Sequence, residues 1–333
     1  CTEAFQDGHV RAFEFFGGVP RRGTYDNLSI AVSKILGPHE RQLTTGFLEL
    51  TSAYLFEPHF CRVRRANEKG VVETLGKYGR QRYFVPVPDF ASLEALNEYL
   101  LECCREELQR RVRRLGRTKG ELLEEERAEF LPLPATPLEA CRKQTGRANS
   151  LSLVRFKDND YSVPVEYAHH ELVVKGFVER VTIWTRLGKR VAAHERCWDQ
   201  GRTIFEPRHY LALLERKPGS LDYAEPLADW NLEPCFEEMR RRLESLQPKE
   251  GTREYIRMLR LLEKHPQERV ARAVEKALRH HALNASVVAM YCQPEEHPEA
   301  VTFRLEGRER LRGVVIPLPV LAEYGALLRE GLA

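Results

Sequence analysis

The chain has 333 residues, of which 42% are hydrophobic and 30% charged. That balance excludes a disordered chain, and the apolar runs fall far short of the ~20 residues that a membrane-spanning helix needs. Net charge is only +3, yet between His59 and Arg82 seven Lys or Arg stand against two acids, Glu68 and Glu73. Such a local excess suits a polyanion as well as it suits a solvated face.

The chain opens with Cys1 inside a stretch of helical spacing, TEAFQDGHVRAFEFF, and is therefore expected to be a fragment or to be numbered from an internal residue. Ala4, Phe5, Val10, Phe13 and Phe16 mark the buried side of that helix, and Gly17-Gly18 ends it. GTYDN reads as a short strand, LTTGFLELTSAYLF as a helix and PHFCRV as another short strand. Alternation of this kind indicates an α/β layer. From Asn67 a further helix is expected, with Val72, Leu75 and Tyr78 inward and with Glu73, Lys77 and Arg80 along another face. Leu93 to Leu115 predicts one long amphipathic helix, Lys119 to Phe130 a second piece, and LPLPATP a linker.

From Asn149 the texture is that of strands. LSLVRF, YSVP, ELVVKG, VERVTIW and KRVAAHE are separated by turn signals, and five short strands in about fifty residues predict a small β-barrel. Beyond Pro207 the pattern is helical again, and residues from Glu295 onward carry no clear pattern. The chain thus divides into an α/β part (1–86), a helical linker (87–147), a small β-barrel (148–200) and a helical C-terminal region (201–333). Eight scattered cysteines, with no C-x-x-C pair, fit a reducing cytoplasm. The adjacent pairs His169-His170 and His280-His281 are poorly spaced for a metal.

Cutting or joining a DNA strand is an in-line displacement at phosphorus, and two Mg²⁺ ions held by hard oxygen ligands can stabilise the attacking and leaving oxygens together. The carboxylates must then converge from separate elements. Asp26 closes a strand and Glu73 lies on a helix, with forty-six residues between them. By spacing alone, Asp26 serves equally well as a cap of a helix in LSIAV, and Glu73 as an acid that gains from a helix dipole.

Five segments alter that balance: HVRAFEFFGGVPRRGTYDNLSIAV; CRVRRANEKGVVE; FKDNDYSVP followed by VKGFVERV; FEPRHYLALLERKPGSLDYAEPLADW; and GTREYIRMLRLLE. In this order they resemble the IstA-type transposases of the insertion-sequence-21 family, over roughly residues 2 to 290. The resemblance implies the C-terminal part of a retroviral-integrase-like, RNase H-like core, followed by a barrel such as follows the core in Mu-type transposases. It implies an Asp, Asp, Glu triad in which Asp26 matches the second acid and Glu73 the last, with Glu68 as the rival. The first Asp of such a core lies upstream of the opening helix, and neither Glu3 nor Asp7 replaces it, so this chain by itself is expected to lack a complete site. The implied reaction is Mg²⁺-dependent (or Mn²⁺-dependent) cleavage at transposon ends and strand transfer into target DNA. The implied partners are both DNAs, further copies of the chain and an AAA+ ATPase helper. Arg62, Arg64, Arg65, Lys69, Lys77 and Arg80, with Arg155, Lys157, Lys175 and Arg186 of the barrel, are the expected phosphate contacts. The competing classes are a non-catalytic DNA-binding regulator derived from a transposase, and an ordinary nuclease of the same fold.

Overall fold

The computed structural model describes residues 1–37, 40–61, 66–293 and residue 310, without the side chains of residues 66–73 and 249. Helix α1 (Thr2–Phe16) buries Val10 and Phe13 and stops where Gly17 turns left-handed at φ 74°, its N–H donating to the Glu14 carbonyl. Strand β1 (Arg22–Tyr25) leads to a hairpin of β2 (Val32–Ile35) and β3 (Arg41–Leu43). LSIAV is therefore turn and strand, so Asp26 caps no helix there. Helix α2 (Thr45–Tyr54) begins at Thr44, whose side chain accepts from the Phe47 N–H, and it buries Phe47, Leu50 and Tyr54. Strand β4 (Glu57–Phe60) returns parallel to β1, Arg22 opposite Glu57 and Tyr25 opposite Phe60. Parallel neighbours need a crossover, which here is the hairpin plus α2.

Helix α3 (Ala66–Tyr83) follows, then α4 (Leu93–Leu108), which begins at the Ser92 cap and has no buried residue. Leu75, expected inward, is 67% exposed. The expected long helix stops at Leu108, because a short hairpin, β5 (Arg111–Val112) with β6 (Arg117–Thr118), turns at Gly116 with φ 66°. Helix α5 (Lys119–Arg127) starts from a capping box of Thr118 and Glu121. The chain then returns to the first core, where Val19 and Leu131 exchange backbone hydrogen bonds of 2.9 and 2.8 Å.

Seven strands follow: β7 (Arg142–Arg147), β8 (Leu153–Phe156), β9 (Asn159–Ser162), β10 (Glu171–Gly176), β11 (Arg180–Thr185), β12 (Arg190–Glu195) and β13 (Thr203–Ile204). They form a four-stranded antiparallel sheet, β12-β11-β10-β7, and a three-stranded sheet, β13-β9-β8. The expected barrel is thus not closed among the described residues. Pro164 and a 3-10 turn (Val165–Tyr167) carry the chain from one sheet to the other instead of pairing β9 with β10. Val154, Phe156 and Tyr161 of one sheet share a core with Leu172, Val174, Val181 and Ile183 of the other.

A third core is helical. A 3-10 turn (Pro207–Tyr210) precedes α6 (Leu211–Arg216), α7 (Pro234–Leu246), α8 (Pro248–Leu259), α9 (Gln267–Arg279) and α10 (Ala285–Tyr291). Phe236, Met239, Ile256, Val270 and Val274 are among its buried residues. Among the described residues no helix is long and apolar enough to cross a membrane.

Candidate active site and nucleic-acid surface

Asp26 sits one residue beyond the C-terminal end of β1, half-buried. Its Oδ1 accepts the Asn27 N–H at 2.7 Å and its carbonyl accepts the Leu28 N–H at 2.8 Å. The parallel pairing of β1 with β4 brings the end of β4 beside it: the Cys61 N–H donates to the Tyr25 carbonyl at 2.9 Å, and the Asn27 amide donates to the Cys61 carbonyl at 2.9 Å. Arg41 completes the corner by donating Nε to Asn27 Oδ1 at 2.6 Å and an NH1 proton to the Gly37 carbonyl at 2.6 Å. Beneath lies an aromatic floor of Phe5, His9, Tyr25, Phe47 and Phe60. The corner therefore holds one carboxylate at a strand end and fixes the departure point of the chain that leads to α3. Glu73 and Glu68 lie on α3, and their side chains fall outside the described residues, so the convergence of the acids does too. Among the described residues no three His, Cys, Asp or Glu gather around one point. A carboxylate at a strand end is nevertheless the donor chemistry that Mg²⁺ takes.

Of the expected phosphate contacts, Arg62, Arg64 and Arg65 lie outside the described residues, as does the side chain of Lys69. Lys77 and Arg80 are exposed on α3. Arg155 and Arg186 are also exposed, near Asp160 (3.6 Å) and Glu171 (2.7 Å). Two others are engaged with acids of the protein itself. The Lys175 ammonium donates to both Glu139 oxygens at 2.8 Å and lies 4.8 Å from the Trp184 ring centroid. Lys157 stands 3.5 Å from Glu3. Register sets Lys143 opposite Lys175 and Arg147 opposite Glu171 on the outer face of the four-stranded sheet. Sequence reading missed this edge strand, because RKQTGR has no apolar alternation to announce it. Asn27, by contrast, was visible beside Asp26, whereas Arg41 carried no local signal.

Two buried polar joints were also not expected. Glu3 and Arg196 are both about 2% exposed in their side chains, 3.5 Å apart, and link α1 to the end of β12. Arg196 also lies 3.8 Å from the Trp198 ring centroid. Burial raises the Glu3 pKa, but its own backbone N–H, Lys157 and Arg196 outweigh that and hold it below the usual carboxylate range. At the second joint, His194 donates Nε2–H to the Ser162 carbonyl at 2.6 Å, and Ser162 Oγ bonds His209 Nδ1 at 2.9 Å while accepting the Glu206 N–H at 2.8 Å. Burial, and then the charge of His194, pushes His209 down to about 4.

Residues 133–206 match the family model of the Mu transposase C-terminal domain. A transposase of Aminobacter aminovorans is 35% identical over 285 residues, covering 83% of this chain and 54% of that protein. The transposase for insertion sequences IS1326/IS1353 of Pseudomonas aeruginosa is 34% identical over 284 residues, with the same coverage of 83% and 54%. The transposase for insertion sequence element IS21 of Pseudomonas aeruginosa is 28% identical over 62% of this chain and 53% of its own length. The chain thus spans about half the length of these curated relatives.

Proposed function

We propose that this chain, which belongs to the transposases of insertion-sequence-21-type elements, supplies two catalytic carboxylates and part of the DNA grip of a DNA transposase. The observation that carries the reading is the corner at the parallel ends of β1 and β4, with Asp26 held there and α3 the next element along the chain. An RNase H-like core would use such a corner, with one acid at the strand end and another on the helix after the next strand. Asp26 and Glu73 would be the second and third acids of an Asp, Asp, Glu set. With Mg²⁺ or Mn²⁺ bound, the site would gain Lewis-acid stabilisation of the oxygens that attack and leave phosphorus. The residues of this chain do the rest. Asp26 presents hard oxygen, and Asn27 with Arg41 holds the ends of β1 and β4 together. Lys77, Arg80, Arg155 and Arg186 neutralise phosphates. The reaction is end cleavage to free 3′-hydroxyls, followed by their attack on target DNA. Its partners would be transposon ends, target DNA, further copies of the chain and an AAA+ ATPase helper.

The test uses the full-length protein, pre-cleaved ends and Mg²⁺. Asp26→Asn and Glu73→Gln are each expected to abolish strand transfer and leave end binding within about twofold, since affinity for DNA comes mostly from Lys and Arg. Robust product from Glu73→Gln would remove Glu73 and return attention to Glu68. End binding by the wild type without any strand transfer would instead leave a non-catalytic regulator.

A further inference from the structure

The arginines from α7 to α9 fall into two groups. Arg240, Arg241, Arg242, Arg253, Arg257 and Arg260 each lie within 3.6 Å of a carboxylate oxygen. Arg269, Arg272 and Arg279 of α9 are exposed, and no ion pair joins any of them to a carboxylate among the described residues. Their spacing is not random. Positions 269, 272, 276 and 279 fall on one line of a helix, separated by three, four and three residues. The opposite face of α9 buries Val270, Ala273, Val274 and Ala277, so this line points away from the core. It extends about 15 Å along the axis at 1.5 Å per residue. Lys276 lies 4.7 Å from the ring centroid of Tyr291, a half-buried aromatic at the edge of the line, and His280 follows it, exposed. Glu268 and Glu275 flank it on one side only.

We propose that this stripe of α9 is a second DNA contact, one that binds the phosphate backbone of a duplex. The inference rests on the DNA-binding part of the proposed function, but on a different surface. Two features favour DNA over an acidic protein. A protein interface needs an apolar centre, and no large apolar side chain of α9 is exposed. A DNA interface is polar and strongly positive, and is satisfied by regularly spaced cations with an aromatic beside them. On α7 and α8 the fold neutralises its arginines internally, whereas along this line of α9 it leaves several outward.

The experiment is binding of the whole chain to a fluorescently labelled duplex, followed by anisotropy between about 50 and 200 mM salt, the range over which phosphate neutralisation dominates. Arg269→Gln/Arg272→Gln/Arg279→Gln is expected to flatten the log–log salt slope by about 2.7, at about 0.9 for each phosphate no longer neutralised. Arg272→Gln alone should flatten it by about 0.9, and the triple Lys variant should restore the wild-type slope. A circular-dichroism melting curve establishes that each variant is folded. A folded triple Gln variant with an unchanged slope overturns the stripe and leaves the proposed function standing, as would occupation of this face by a protein. A wild-type chain without salt-dependent duplex binding overturns both.

Discussion

Arg196 keeps a full charge almost entirely out of water, facing a Glu3 that is equally buried. Two buried ions attract strongly, yet each has lost its hydration, so the pair as a whole contributes little while either member alone is costly. Arg196→Ala leaves the Glu3 carboxylate with Lys157 alone, 3.5 Å away. Loss of one partner from such a pair costs about 3–5 kcal/mol, and Lys157 sets the expectation at the lower end. The double replacement Glu3→Leu/Arg196→Met is expected to be more stable than Arg196→Ala. Urea unfolding curves of the three proteins decide it, and an Arg196→Ala protein as stable as wild type would make the pair a bystander. Neither member was legible in the sequence, since nothing local marks two charges whose partner lies 193 positions away. Asp26 was legible for the opposite reason: strand, acid and Asn27 are contiguous in GTYDN.

Helices α7 and α8 meet at Gly251 so closely that a Cβ there would collide with the Leu243 carbonyl. Two effects compete on Gly251→Ala. Within a helix the change gains about 1 kcal/mol from backbone entropy. Here the obstacle is backbone, which cannot turn aside as a side chain can, and overpacking costs about 1–3 kcal/mol. Net destabilisation of up to about 2 kcal/mol is therefore expected, read as a lower melting temperature in calorimetry. A variant that melts above wild type would mean that α8 slides freely on α7. The strongly periodic elements were the ones read correctly from sequence: α1, α2, β8, β10, β11 and β12 lie where spacing and turn residues placed them, and the region beyond Pro207 is helical as expected. The misses share a cause. β7 is an edge strand without alternation, and the long helix after Leu93 was interrupted by a Gly116 turn inside a run of arginines that still kept apolar spacing. Closure of the barrel failed because strand count does not say which edges pair.

Three apolar cores are joined by polar seams: Glu3, Lys157 and Arg196 between the first and second, and Ser162, His194, Glu206 and His209 between the second and third. The second seam titrates. Burial lowers both imidazoles, so the folded chain keeps them neutral while the unfolded chain takes up protons near the ordinary value of 6.5. The unfolded state then binds more protons as pH falls, so stability is full above pH 6.5 and declines towards the His209 value of about 4. His209→Asn can still accept from Ser162 but does not titrate, so the wild type is expected to lose more stability than this variant between pH 6.5 and about 4.5, in parallel urea titrations. Equal losses would exclude His209 as a cause. The first seam has a consequence of another kind, for inheritance. A crossover between two diverged gene copies that falls anywhere between codons 3 and 196 delivers the carboxylate from one parent and the guanidinium from the other. The recombinant keeps a sound joint only when both parents encode the pair, so this one buried contact makes two positions 193 residues apart a condition on where diverged copies can be spliced.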